Sequence, residues 1–190
     1  LLFDFGDDQL DVASNDDGPR EGFFEAARSR LEGADEPVLF ERRFLHTRYD
    51  VWDMDTTRRA LWQFTLAGGA GAIWGEYFDE GPPYPEPAQL RTHRRFWRDR
   101  FSFELDRPGR LTGADGGYTL RDVDGRRAVF YAESTSTVPL DLAGWTGSLS
   151  AVAVDTRAPY REIPLGKLDA SNETWTAPHA SDWAVAVGTF

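Results

Sequence analysis

The chain contains no cysteine, which excludes a disulfide framework, a thiolate nucleophile and a cysteine-ligated zinc. It has almost no lysine either: Lys167 stands alone, and arginine supplies the rest of its 21 basic residues. No run approaches the ~20 uninterrupted apolar residues that a membrane-crossing helix needs. Nor does a basic stripe emerge to offset a formal net charge of −11, and so acidic a surface repels phosphate backbones. Nucleic acid and membrane are therefore not expected partners. What the 190 residues do have is 41% hydrophobic and 14% aromatic side chains, enough to fill a core and to exclude wholesale disorder. Dense carboxylates with arginine in place of lysine suit a protein kept solvated at high salt.

The chain opens Leu1-Leu2-Phe3-Asp4-Phe5-Gly6, with neither an initiator Met nor a signal-peptide pattern, and reads as the C-terminal part of a longer protein. Whether that protein works outside the cell or in the cytoplasm stays open.

Periodicity divides the chain near residue 101. Up to there, short apolar strands alternate with helical stretches, the rhythm of βα units and a parallel sheet. Strands are expected at Leu10–Ala13, Pro37–Phe40 and Ala70–Trp74. Helices are expected from about Glu21 to Glu32, from Thr56 to Ala67 behind an Asp55 cap, and from about Ala88 to Arg100. In the last of these, Leu90, Trp97 and Phe101 mark an apolar stripe and Arg91, Arg94, Arg95 and Arg98 cover the rest. From residue 102 to 190 the pattern becomes short alternating segments between turn signals such as Asp115-Gly116-Gly117 and Asp124-Gly125. Seven such segments are expected, at Phe103–Leu105, Tyr118–Arg121, Ala128–Ala132, Val138–Leu142, Leu149–Val154, Thr174–Thr176 and Trp183–Val187, the pattern of an antiparallel β-sandwich. Neither part is the basic one: residues 1–100 carry −7 and residues 101–190 carry −4.

Three βα units leave a parallel sheet with unpaired edges, so units of this rhythm belong to an open doubly wound sheet or to a closed (β/α)8 barrel. The terminal sandwich favours the barrel. In a barrel the reacting groups stand at the C-terminal strand ends. Glu41 falls there, after Pro37-Val38-Leu39-Phe40, flanked by Arg42, Arg43, Tyr49 and Trp52. A carboxylate beside cations fits a nucleophile held ionised, and it fits equally a rim ion pair with Arg42 or Arg43. The next strand ends Trp74-Gly75-Glu76-Tyr77. There an indole can stack on a sugar ring and Glu76 can accept from hydroxyls, although a solvated Glu76 and a Trp74 that plugs the barrel suit the same residues.

Other signals carry less. Gly68-Gly69-Ala70-Gly71 follows a helix and precedes a strand, the reverse of a phosphate cradle, and reads as helix cap and close packing. His46, His93 and His179 have no ligand spacing, and Asp4 through Asp17 lack the EF-hand order, so no metal and no cofactor is expected. No Gly-x-Ser-x-Gly occurs. Asn172-Glu173-Thr174 matches a glycosylation sequon at a frequency chance explains.

Three segments, Glu36–Glu41, the helix around Arg58-Arg59-Ala60-Leu61-Trp62, and Ala67-Gly68-Gly69-Ala70-Gly71-Ala72-Ile73-Trp74-Gly75, resemble the last strands of apiosidase-like glycoside hydrolases. Those are (β/α)8 enzymes with an appended β-sandwich known as a collagen-binding domain. Phe130-Tyr131, Val138–Leu142 and Asp182-Trp183-Ala184-Val185 are similar to that sandwich. The resemblance implies the last three βα units of a barrel over residues 1–101 and a sandwich over 102–190. It implies a poly- or oligosaccharide substrate and Glu41 as nucleophile, with Trp74, Glu76, Tyr77 and Tyr49 lining the sugar site. The general acid would come from a fourth strand outside these residues, so this part alone should not hydrolyse anything. The Arg42-Arg43 pair departs from the family pattern. The rival reading is a non-catalytic module, a degenerate barrel with a sandwich that grips carbohydrate or matrix. Oligomeric state is not legible.

Overall fold

The computed structural model describes residues 4–5, 22–32, 38–42, 53–69, 71–74, 86–98, 100, 105–111, 116–171 and 173–190. The chain divides into two compact units, Leu1–Pro87 and Ala88–Phe190. This division lies one helix ahead of the change in sequence pattern near residue 101.

The first unit alternates strand and helix. Strands β1 (Asp4–Phe5), β2 (Val38–Arg42) and β3 (Gly71–Trp74) form a parallel sheet in that order, and helices α1 (Phe23–Glu32) and α2 (Met54–Leu66) connect them. The strand paired with β2 is β1; the expected strand at Leu10–Ala13 lies outside the described residues. Register is direct, with Asp4 opposite Val38, and Leu39, Phe40, Glu41 and Arg42 opposite Gly71, Ala72, Ile73 and Trp74. Helix α1 buries Phe23, Phe24 and Ala27 and closes its outer face with an Arg28–Glu32 ion pair of 2.7 Å.

Helix α2 departs from the one-faced pattern that its sequence suggests. Ala60, Leu61, Phe64 and Thr65 lie on one face at helical spacing, yet the helix also buries Thr57, Arg58, Trp62, Gln63 and Leu66. It stops in a Schellman motif: the Gly69 N–H donates to the Phe64 carbonyl and the Gly68 N–H to that of Thr65, both at 3.0 Å. Gly68 has φ +104°, and a Cβ on Gly69 would lie 2.2 Å from the Phe64 ring. Cap and close packing are thus both required here, as the glycine run suggests.

The second unit opens with α3 (Pro87–Arg98), started by a proline at its first position, where the missing N–H costs nothing. Its buried side is Gln89, Thr92, His93, Phe96 and Trp97. Of the apolar stripe expected from sequence, Trp97 is buried, Leu90 half-buried, and Phe101 lies outside the described residues. Six strands follow: β4 (Leu105–Arg110), β5 (Tyr118–Asp122), β6 (Ala128–Pro139), β7 (Leu149–Asp155), β8 (Ile163–Leu168) and β9 (Thr174–Val187). They form one antiparallel sheet in the order β4-β5-β6-β9-β7-β8. Seven separate segments were expected. Ala128–Ala132 and the start of Val138–Leu142 are one strand, β6, and Thr174–Thr176 and Trp183–Val187 are one strand, β9. Strand β8 escapes a sequence reading because Pro164 and Gly166 look like turn residues; both edge strands carry a proline, which blunts them against further pairing.

Side chains from all across this sheet join one core. Phe130, Val138 and Leu140, from β6 and its exit, meet Ala151 and Ala153 of β7, Leu168 of β8, and Trp183, Val185 and Val187 of β9. Every member comes from the sheet or its connections. The alternate residues Val129, Tyr131, Ala184 and Ala186 are buried too, so the central strands are covered on both faces.

Strands β6 and β9 fall out of register partway along their length. Between the pairs Thr135–Ser181 and Thr137–Thr176, β9 carries extra residues, and Ser134 on the facing strand takes φ 52°. Buried Asp182 holds this bend. Its carboxylate accepts the Ser134 N–H at 2.8 Å, and its carbonyl accepts the N–H and hydroxyl of Thr156, each at 2.9 Å. Asp155 ties the far side, accepting from the Ser181 hydroxyl at 2.7 Å and the Arg157 N–H at 2.9 Å, with His179 Nε2 at 3.0 Å. Replacing Asp182 by Ala removes the side-chain acceptor of the Ser134 N–H in this bend. Urea unfolding should show a loss of about 1–3 kcal/mol, with Asp182→Asn closer to wild type; an unchanged midpoint for Asp182→Ala would refute the role.

Helix α3 supplies a second measurable consequence. Its Thr92 hydroxyl donates to the Ala158 carbonyl at 2.7 Å, and burial pushes the His93 imidazole down to about 3 from the usual 6.5. His93 is therefore neutral in the folded chain but takes a proton in the unfolded chain below pH 6.5. The unfolded state then binds more protons, so His93's contribution is at its most favourable above pH 6.5 and stability is lost as pH falls from 6.5 towards 3. The slope is at most about 1.4 kcal/mol per pH unit. Between pH 7 and 4.5, the stability of His93→Gln should rise relative to wild type, and a pH-independent difference would contradict the buried neutral imidazole.

Candidate active site

Parallel pairing of β2 with β3 constrains what lies at their C-terminal ends. Glu41 is the penultimate residue of β2, inside the strand rather than just past it, because the ladder continues through Arg42. Its register partner is Ile73, and Trp74 closes β3 opposite Arg42. Adjacent strands are ~4.8 Å apart. Backbone geometry thus brings Glu41 and Trp74 to one end of one sheet on neighbouring strands, but at alternate positions of the ladder: Glu41 pairs with Ile73, and Trp74 with Arg42. The other residues expected at the site, Tyr49, Glu76 and Tyr77, lie outside the described residues, as do Arg43 and Trp52.

Because β2 and β3 are adjacent and parallel, α2 must carry the chain back from the C-terminal end of one to the N-terminal end of the other. The first turn of α2 therefore starts from the end of the sheet that holds Glu41. That turn is capped by Asp53, not by the expected Asp55. The Asp53 carboxylate accepts from the Thr56 N–H and the Thr56 hydroxyl, both at 2.7 Å. A cap must reach the N–H three residues on, and Asp53 has it. Asp55, freed from capping, instead binds Arg58 Nη1 at 2.6 Å, with the Arg58 side chain wholly buried. Partial burial raises the Asp53 pKa, but the Thr56 hydroxyl and N–H, with Arg58 and Arg59, outweigh it and hold the carboxyl below its ordinary value.

Sequence reading placed a carboxylate, an indole and a helix start at one end of the unit, and missed Arg58. A charged residue three positions after an acid on a helix reads as a solvated ion pair; only the burial of α2 on all sides makes it internal. Among the described residues, no group of three or more His, Asp or Glu side chains gathers as a metal site would require. Among those residues, too, no helix is long and apolar enough to cross a membrane.

No protein-family model and no curated protein matches the chain. Solved structures do. A structure described as a glycoside hydrolase aligns over 90% of this chain and 47% of its own, with TM-score 0.63 at 13% identity. A glycoside hydrolase family 5 protein from Bacteroides vulgatus aligns over 89% of this chain and 46% of its own, with TM-score 0.65, also at 13% identity. The chain therefore shares its fold with a little under half the length of these glycoside hydrolases.

The Asp53 cap gives this end of the unit a stability test. Asp53→Ala should destabilise by about 0.5–2 kcal/mol at neutral pH, while Asp53→Asn, which keeps the acceptor, stays close to wild type. Since the folded carboxyl titrates below its unfolded value, the wild-type advantage over Asp53→Ala is full above about pH 4–5. It shrinks as pH falls through the folded pKa. A gap that does not narrow as pH falls would contradict a carboxyl held below its ordinary value.

Proposed function

We propose that the chain is the C-terminal portion of a glycoside hydrolase acting on a poly- or oligosaccharide, with Glu41 as catalytic nucleophile. The observation that carries this reading is the placement of Glu41 at the C-terminal end of a parallel strand, in a fold shared with half of a glycoside hydrolase. In (β/α)8 enzymes the reacting groups stand at that end. On this reading β1 to α3 are the last three βα units of such a barrel, and the antiparallel sheet is an accessory β-sandwich of the kind appended to apiosidase-like hydrolases and associated with collagen binding. The domains then meet near residue 101, with α3 the last barrel helix although its contacts are with the sheet.

The chemistry follows from two carboxyl groups. The ionised Glu41 attacks the anomeric carbon as a general acid protonates the leaving oxygen, giving a glycosyl-enzyme ester. Water, deprotonated by the same group, then cleaves that ester. The acid belongs to another strand of the whole protein and would stand ~5–5.5 Å from Glu41 if configuration is retained. Trp74 offers a stacking face for the sugar, with Tyr49, Glu76 and Tyr77 supplying contacts to hydroxyls. No cofactor enters this scheme.

In the complete protein, Glu41→Gln should lower kcat by roughly 10³-fold or more without lowering the melting temperature. The Glu41→Gly variant should regain turnover with added azide and release a glycosyl azide of inverted anomeric configuration. A rim ion pair would give neither result. Wild-type kcat in Glu41→Gln overturns the assignment.

A further inference from the structure

Helix α3 concentrates positive charge that the composition hides. Its residues Arg91, Arg94, Arg95 and Arg98 are all exposed, and their spacing of i, i+3, i+4 and i+7 sets them side by side on one face. No acidic residue occurs between Pro87 and Arg98, in a chain with 32 acids against 21 bases. The other helices behave differently: α1 sets Glu32 against Arg28, and α2 sets Asp55 against Arg58. Like charges at these spacings repel, by ~0.2–0.5 kcal/mol per pair in an isolated helix. The helix dipole accounts for bases in the last turn, Arg95 and Arg98, but not for Arg91 in the middle.

The stripe is also rigidly mounted. Opposite it, Thr92 bonds the Ala158 carbonyl and Phe96 and Trp97 are buried. At the helix end, Arg100 binds Glu162 at 2.6 Å and the Phe96 carbonyl at 3.0 Å. Arg95 lies over the Tyr160 ring, 4.6 Å from its centre. Guanidinium groups thus stand in three layers about one helical pitch, ~5.4 Å, apart.

We infer that this arginine face of α3 is a docking surface for a carboxylated polysaccharide, a polyuronate chain, outside the catalytic site; the inference rests on the carbohydrate-hydrolase reading. Guanidinium forks match carboxylates in paired hydrogen bonds. A polyuronate has one charge per sugar, a repeat close to the spacing of these layers. Duplex DNA has a charge every ~1.7 Å, far denser than guanidinium layers ~5.4 Å apart. A membrane would need apolar residues beside the arginines, and the large exposed hydrophobics among the described residues, Val123 and Phe190, are not on α3.

The test is affinity electrophoresis of the 190-residue chain through gels containing alginate, neutral dextran or duplex DNA, with flotation on phosphatidylserine vesicles alongside. Retardation is expected by alginate alone, fading between about 50 and 500 mM salt. Arg91→Gln with Arg94→Gln should weaken it about five- to tenfold, whereas Arg107→Gln with Arg126→Gln, the same change in net charge elsewhere, should leave it intact. No retardation by alginate, equal loss in both double variants, preference for DNA or vesicles, or dissociation of an oligomer by the α3 variant each overturns the proposal. Retardation is read without turnover, so such a failure leaves the role of Glu41 standing, and a failure at Glu41 leaves the binding measurement readable.

Discussion

The hydrogen-bond ladder between β2 and β3 is the constraint on which the candidate site depends. Side chains alternate along a strand with a period of two, so a slip of one residue would move every group to the opposite face. What fixes the ladder is the way α2 ends. Gly68 turns the chain in a left-handed conformation, Gly69 lies against the Phe64 ring too closely for any side chain, and β3 starts at Gly71, two residues later. Helix stop and strand start are in effect one structure, so burial of α2 transmits directly to which residue stands opposite Glu41. The site thus owes its alignment to glycines that carry no chemistry.

In the second unit a single pairing plays the same part. Strands β6 and β9 are 12 and 14 residues long and hold the middle of the sheet, buried on both faces over Ala128–Ala132 and Ser181–Val187. Strands of that length must coil or bend, and here the bend is specified chemically. Asp182 is fully buried, which is costly for a carboxyl group unless its oxygens find partners. The extended ladder cannot supply them; the Ser134 amide, turned inward by φ 52°, can. The buried acid and the irregular backbone each make the other tolerable. Next to them the Trp183 N–H donates to the His179 carbonyl within the same strand, at 3.1 Å. That contact uses residues the register shift has brought close together.

These two mechanisms explain which features were legible in the sequence. Strand-and-helix alternation, the position of Glu41 at a strand end and the capping role of Gly68-Gly69 are local patterns, readable from a few residues. The seven-segment reading failed where a strand runs through a bulge, since Ser134 to Thr137 and Pro178 to Ala180 look like turns to any rule that knows only its neighbours. Strand β8 was missed for a related reason. Pro164 and Gly166 disfavour a central strand but suit an edge, and edge or centre is decided by the whole sheet. The Asp53 cap was a near miss: three acids alternate at 50, 53 and 55, and the N–H that each could reach depends on where the helix begins. Burial of Arg58 and Gln63 depends on what surrounds α2, which its own thirteen residues do not record.

Charge follows the same logic. Net charge is a sum, and for this chain the sum is −11. A helix converts sequence spacing into direction, and in α3 that direction is uniform: apolar and uncharged groups inward, guanidinium groups outward. Screening at ordinary ionic strength acts over ~8–10 Å, so a partner approaching this face feels the four nearby cations before the remote excess of acids. An acidic total and a basic face can therefore coexist without contradiction. What makes the face distinctive is that the chain had acids to spare and placed none of them in this helix, whereas both helices of the first unit received one within a turn of an arginine.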